Sequence, residues 1–266
     1  MMRSIYASLA ALALTGPALA EEMKLAVTTS FHNSGLSDIL LPVLTEDTGI
    51  EVQLLVVGTG QALRLGEAGD VDAILVHSRT AEDAFIEAGF GTSRREIMYN
   101  DFILVGPQAD PANVGQATSI RDALWAISGG AAPFVSRGDD SGTHKREKSL
   151  WETAGMNPES AEWYRATGSG MGAALNTASG MGAYILTDRA SWLNFGNKDG
   201  MMLIFEEDEA LFNQYAYLPV NADLHPHVKA DLAEKLEDWL VSDRAEDLIN
   251  GYEIDGQTLF TFNAVR

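Results

Sequence analysis

The sequence predicts an α/β fold of two lobes, each a mainly parallel sheet flanked by helices, with a cleft between the lobes. Three observations carry this reading. Strand-like and helix-like segments alternate along the chain, and the helical patterns stop at Gly49, Gly69 and Gly89. Two places look like crossings between lobes, one at Gly106-Pro107 and Asp110-Pro111, the other within residues 213–219. The chain has 266 residues, 46% of them hydrophobic, enough for one large domain or two lobes with good cores.

The elements follow in order. Residues 24–28 form an apolar run that reads as a buried strand. Residues 36–48 form a helix with Leu36, Ile39, Leu40, Val43 and Leu44 on one face. A strand at 51–57, a helix at 61–68, a strand at 72–76 and a helix at 80–88 repeat the alternation. The apolar strand 100–106 then leads into the second lobe. That lobe holds helices at 120–127, after Thr143 and at 171–178, with strands near Phe134, at 183–186 and at 201–205. Helices at about 226–241 and 244–250 return to the first lobe. The expected limits are 21–104 plus 218–266 for the first lobe and 105–217 for the second.

Residues 1–20 stand outside this scheme. Arg3 is a short basic region, residues 5–15 are apolar, and Ala18-Leu19-Ala20 is a small-residue cleavage pattern followed by Glu21-Glu22. This is a secretory signal peptide, expected to be cut after Ala20, and it is too short for a membrane anchor. No later segment is apolar enough to span a bilayer. Cys is absent, which excludes disulfides, zinc–thiolate sites and a lipidated Cys. A bacterial periplasm is the expected compartment. The net charge of −20 argues against a nucleic-acid partner. It does not exclude a site for a small anion, because surface charges beyond about 8 Å are largely screened at physiological salt.

Four loops carry the chemistry. They are Thr28-Thr29-Ser30 with Ser34-Gly35; Gly58-Thr59-Gly60-Gln61; Ser136-Arg137-Gly138-Asp139-Asp140-Ser141-Gly142-Thr143; and Thr167-Gly168-Ser169-Gly170-Met171-Gly172. Each precedes a helical pattern, and two belong to each lobe. Ligands of open α/β sheets bind beyond the carboxyl ends of the strands, so all four loops face the cleft. Backbone N–H groups at a helix start form an anion site, and Gly lets them come close. Arg137 adds a forked, permanent cation. A charged acceptor gains about 1.5–3 kcal/mol net from each donor, so several donors can offset the cost of stripping water from a dianion.

Other patterns weigh less. Gly168, Gly170 and Ala173 match a dinucleotide fingerprint in outline, but the strand before them is short and polar. His225-Pro226-His227 lacks a nearby third metal ligand. Ser141, His144 and Asp139 lie too close together on one loop to align as a triad. His32, His77 and His144 are single and read as core or capping residues. No cofactor is expected. An exported hydrolase of anionic substrates remains the alternative from a different class, and a sensory binding subunit a third.

The same residues resemble the periplasmic tungstate-binding proteins of tungstate ABC importers. The resemblance rests on Thr28-Thr29-Ser30, Ser34-Gly35-Leu36, Val57-Gly58-Thr59-Gly60-Gln61-Ala62-Leu63, Asp72, Leu75-Val76-His77, Met98-Tyr99-Asn100-Asp101-Phe102, the block from Ser136 to His144, Gly170-Met171-Gly172, and Tyr184 with Leu186-Thr187-Asp188-Arg189. Phe31-His32-Asn33 departs from the family pattern, where a threonine and an acidic residue are common. The resemblance implies a class II solute-binding protein that grips a tetrahedral oxyanion, with Arg137 as its charged ligand. Its partners would be an ABC permease and its ATPase. The expected contacts are Thr29, Ser30, Gly58 and Thr59 from one lobe, and Arg137, Ser141, Gly142, Thr143, Ser169, Gly170 and Met171 from the other. Arg137 is expected to be the only full positive charge, and tungsten to enter only as its oxyanion. Molybdate and phosphate remain alternatives; phosphate, which keeps a proton, would want a carboxylate such as Asp139 or Asp140 among the donors.

Overall fold

A computed structural model of the chain describes residues 21–139 and 141–266; residues 1–20, expected from sequence to be a signal peptide, and Asp140 lie outside the described residues. The first half runs β1 (Glu21–Thr28), α1 (Thr29–Asn33), α2 (Leu36–Thr48), β2 (Ile50–Val57), α3 (Thr59–Glu67), β3 (Ala73–Val76), α4 (Arg79–Glu87) and β4 (Arg95–Pro107). Next come α5 (Ile120–Gly129), β5 (Phe134–Ser136), α6 (Gly142–Thr153), β6 (Tyr164–Ala166), α7 (Met171–Met181), β7 (Tyr184–Asp188), α8 (Arg189–Leu193) and β8 (Met201–Phe205). The chain returns through β9 (Phe212–Pro219), α9 (Ala230–Leu240) and α10 (Asp243–Asn250).

Two parallel units form the lobes. β1 lies between β2 and β3, and β5 lies between β6 and β7, all in parallel. Parallel neighbours need crossover connections, which the intervening helices provide. The long strands that join the units are antiparallel to their neighbours. From Arg95 to Asp101, β4 pairs with β9; from Phe102 onward it pairs with β7, and further along with β8. Thus β4 changes partner between Asp101 and Phe102, and β9 begins its pairing at Phe212. The limits expected from sequence, at 104/105 and 217/218, fall a few residues C-terminal to these switches. Arg189 on α8 grips Asp101 at the switch with both ends of its fork, at 2.8 and 2.5 Å.

The cores follow the two-residue strand period. On β1, Leu25 and Val27 enter the largest cluster while Ala26 enters a separate one on the opposite face. On β7, Ile185 joins the largest cluster, whereas Tyr184 and Leu186 pack in the second-lobe cluster with Phe134 and Trp151. Val135, Met171 and Leu175 share the largest cluster with Leu36, Leu40 and Leu44, so one face of the core runs through both lobes. On α2 the buried stripe is Leu36, Leu40 and Leu44; Ile39, expected on that face, is 41% exposed. Gly49 ends this helix at φ 76°, and its N–H bonds to the Thr45 carbonyl. That left-handed cap suits glycine because it has no Cβ to clash.

Candidate functional site

All four loops leave the carboxyl ends of parallel strands. β1 ends at Thr28, whose hydroxyl accepts from Phe31 N at 3.3 Å and so caps α1. Its Oγ1 also lies 3.0 Å from Ser30 Oγ, which in turn lies 3.1 Å from His77 Nε2 and 3.2 Å from the Tyr215 hydroxyl. The second loop starts α3 from Gly58 with no side-chain cap, leaving backbone donors of the first turn for other partners.

The third loop begins with Arg137. Its Nε and Nη2 donate to Asp139 Oδ2 at 3.1 and 2.5 Å, and Asp139 Oδ1 accepts from Ser141 N at 3.2 Å. Burial works against the Asp139 carboxylate, but the Ser141 and Arg137 hydrogen bonds prevail and hold its pKa below the usual range. Ser141 Oγ accepts from His144 N at 3.3 Å and caps α6. The fourth loop packs on the third. Thr167 Oγ1 donates toward the Ser136 and Arg137 carbonyls, 3.2 Å from each, and Ser169 N donates to the Arg137 carbonyl at 3.1 Å. Gly170 starts α7 with no side-chain cap.

These loops line two cavities. One, of about 470 Å³, is lined by Thr29, Ser30, Arg137, Thr143, Gly170 and Met171, together with Asp188. The other, of about 710 Å³, is lined by Gly58, Thr59, Ser141, Gly142 and His77. Ser30 lines one and His77 the other, yet the two are hydrogen-bonded, so the cavities adjoin. Ser169, expected as a contact, lines neither of these cavities. Its hydroxyl donates to Thr167 Oγ1 at 2.8 Å.

The first turns of α6 and α7 meet at the smaller cavity, with Arg137 beside them. Each helix start contributes typically about 0.3–1 kcal/mol toward a negative charge. The nearby carboxylates are already engaged. Asp139 accepts from Arg137 and Ser141, while Asp188 accepts from Ser191 N and Ser191 Oγ, both at 2.8 Å. The arrangement therefore offers donors to an acceptor-only guest.

The chain matches the model of the PBP superfamily domain over residues 15–244. It is 47% identical over 246 residues to the tungstate-binding protein TupA of Peptoclostridium acidaminophilum, covering 91% of this chain and 86% of that protein. The chain belongs to the tungstate-binding protein family of the PBP superfamily. The structure of the tungstate-binding protein TupA from Desulfovibrio alaskensis G20 is 45% identical, with a TM-score of 0.89 over 92% of this chain and all of that one (100%). The structure of the tungstate ABC transporter from Geobacter sulfurreducens is 43% identical, with a TM-score of 0.77 over 87% of this chain and 99% of that one.

Within this tungstate-binding family member, two sequence readings change. Arg137 is not the only cation lining the cleft, because Arg64, Arg79, Lys145 and Arg146 line the larger cavity. Asp139 shares the Arg137 fork. His77, read as a core or capping residue, lines the larger cavity and bonds Ser30. Burial lowers its pKa to about 4, against hydrogen bonds to its own backbone and to Asn213, so the ring is neutral at pH 7. Its place at the carboxyl end of β3 was the available signal. The other histidines noted in sequence have bland roles here. His225 Nε2 bonds the Glu67 carbonyl and His227 Nε2 the Gly69 carbonyl, and no group of three potential metal ligands occurs among the described residues. Ser141 and Asp139, considered for a triad, are occupied as cap and turn residues.

Proposed function

We propose that this protein captures tungstate between its lobes and delivers it to an ABC permease driven by an ATPase. One observation carries the reading. The starts of α6 and α7 converge with Arg137 on a cavity whose lining carboxylate, Asp188, already accepts from Ser191. A fully deprotonated tetrahedral dianion suits such a wall of donors. Arg137, Thr29, Ser30, Thr143, Gly170 and Met171 hold the anion. Gly58, Thr59, Ser141 and Gly142 complete the grip as the lobes close. Ser169 belongs to the loop that props the Arg137 carbonyl. Molybdate, with the same shape and charge, competes for this site.

The lobes meet at the switches of β4 and β9, so we place the hinge at Asp101–Phe102 and Phe212. The protein works in the periplasm after removal of residues 1–20, without cofactor or catalytic step. Calorimetric titration with sodium tungstate tests the reading. Arg137→Ala is expected to lose about 2–5 kcal/mol, one to nearly four decades in Kd. Equal affinity in wild type and variant would contradict it.

A further inference from the structure

His77 connects parts of the molecule that are far apart in sequence. It follows β3, the first-lobe strand Ala73–Val76. Its Nε2 lies 3.1 Å from Ser30 Oγ, and its ring centroid lies 4.8 Å from that of Tyr215. Tyr215 stands on β9, two residues after Asn213. Asn213 Nδ2 donates to Asn100 Oδ1 at 2.8 Å, and both asparagines are buried. Asn100 and Asn213 flank the switches at which β4 and β9 pass between lobes. His77 thus touches the first anion loop and the strand that forms half the hinge.

On its other side His77 meets the second lobe. A Cβ added to Gly142, the first residue of α6, would lie 3.2 Å from His77 Cε1 and 3.9 Å from Nδ1. Gly142 is not among the residues with positive φ, so its backbone conformation does not demand glycine. What glycine supplies there is room for the imidazole.

We propose that His77 is a positioning residue for lobe closure: it seats Ser30 in the first lobe and abuts the bare backbone of Gly142 in the second, and this pairing sets how closely the two lobes can grip an anion. The proposal rests on the oxyanion-capture reading above. A side chain at 142 would prop the cleft ajar, and loss of the ring would unseat Ser30.

The test is a double-variant cycle read with sodium tungstate, using calorimetry for Kd and stopped flow for the dissociation rate. Gly142→Ala is expected to weaken binding roughly tenfold or more, mainly through faster dissociation. His77→Ala weakens it as well, and His77→Gln, whose amide can reach Ser30, recovers part of the loss. In the double variant Gly142→Ala/His77→Ala, the loss is smaller than the product of the two single losses, because the added methyl no longer has a ring to strike. If the methyl instead struck the anion, removing the ring would give no rescue. A double loss equal to or larger than the product overturns the proposal. If His77→Ala does not fold, a graded Gly142→Ala and Gly142→Val series decides: dissociation that does not speed up with side-chain size overturns it. Wild-type protein that fails to bind tungstate overturns the capture reading and this inference together. Wild-type binding with independent effects at the two positions overturns this inference alone.

Discussion

Two titratable residues, Glu147 and His77, set opposite pH dependences. Glu147, on α6 one turn beyond Thr143, is 3% exposed and accepts from the Tyr164 hydroxyl at 2.7 Å. Burial raises its pKa from 4.5 to about 7. Between those values the unfolded chain has released a proton that the native protein keeps, so this residue's contribution to stability falls as pH rises. His77 does the reverse. Its pKa falls from 6.5 unfolded to about 4 folded, so between pH 4 and 6.5 the unfolded chain binds the extra proton and stability rises with pH. The two slopes partly cancel in the wild type. Glu147→Gln should therefore unmask a melting temperature that climbs from pH 4 to 6.5. His77→Gln should unmask one that declines from pH 4.5 to 7. At roughly 2–4 °C per kcal/mol for a chain of this size, shifts of several degrees are expected. Thermal melts across this range check the signs; variant curves parallel to the wild type would contradict both assignments.

At the scale of elements, the third and fourth loops behave as one body. Gly138 has φ 61°, and a Cβ there would meet Ala166 Cβ at 2.8 Å. Gly138→Ala should cost about 1–2 kcal/mol for the left-handed backbone alone, with a further penalty from the contact. It should also weaken tungstate binding by pushing the loop that props Arg137. A variant with wild-type melting temperature and affinity would show that the loops do not depend on each other. Most elements were legible because apolar period and glycine stops agree, as in α2 between Gly35 and Gly49. The five-residue helix α1 escaped notice because little more than one turn carries no period. The helix expected from 226 begins at Ala230, because the preceding residues form turns and Lys229 N donates to Asp72 Oδ1. Ten of the eleven expected contacts line these two cavities, whereas the Ser169 hydroxyl turns to Thr167. For His77 the sequence offered only its place after a strand and its share in the family resemblance; its partners Ser30, Gly142 and Tyr215 meet it only in the fold.

At the scale of the whole molecule, a chain of net charge −20 holds a cleft lined by Arg137 and four further cations. The acidic surface is screened beyond about 8 Å, whereas the cleft is governed by helix starts and its nearest side chains. The antiparallel strands β4 and β9 join the two parallel units, with Arg189 clamped on Asp101 at the point of exchange. The central claim is that this cleft holds one tungstate at the meeting of α6, α7 and Arg137. The most direct measurement is a crystal structure grown with sodium tungstate, with an anomalous difference map collected at the tungsten absorption edge. The account predicts a single strong peak in the cavity bounded by Ser30, Arg137, Thr143 and Gly170, within hydrogen-bonding reach of Arg137. A peak elsewhere, or a cleft without tungsten, would contradict it.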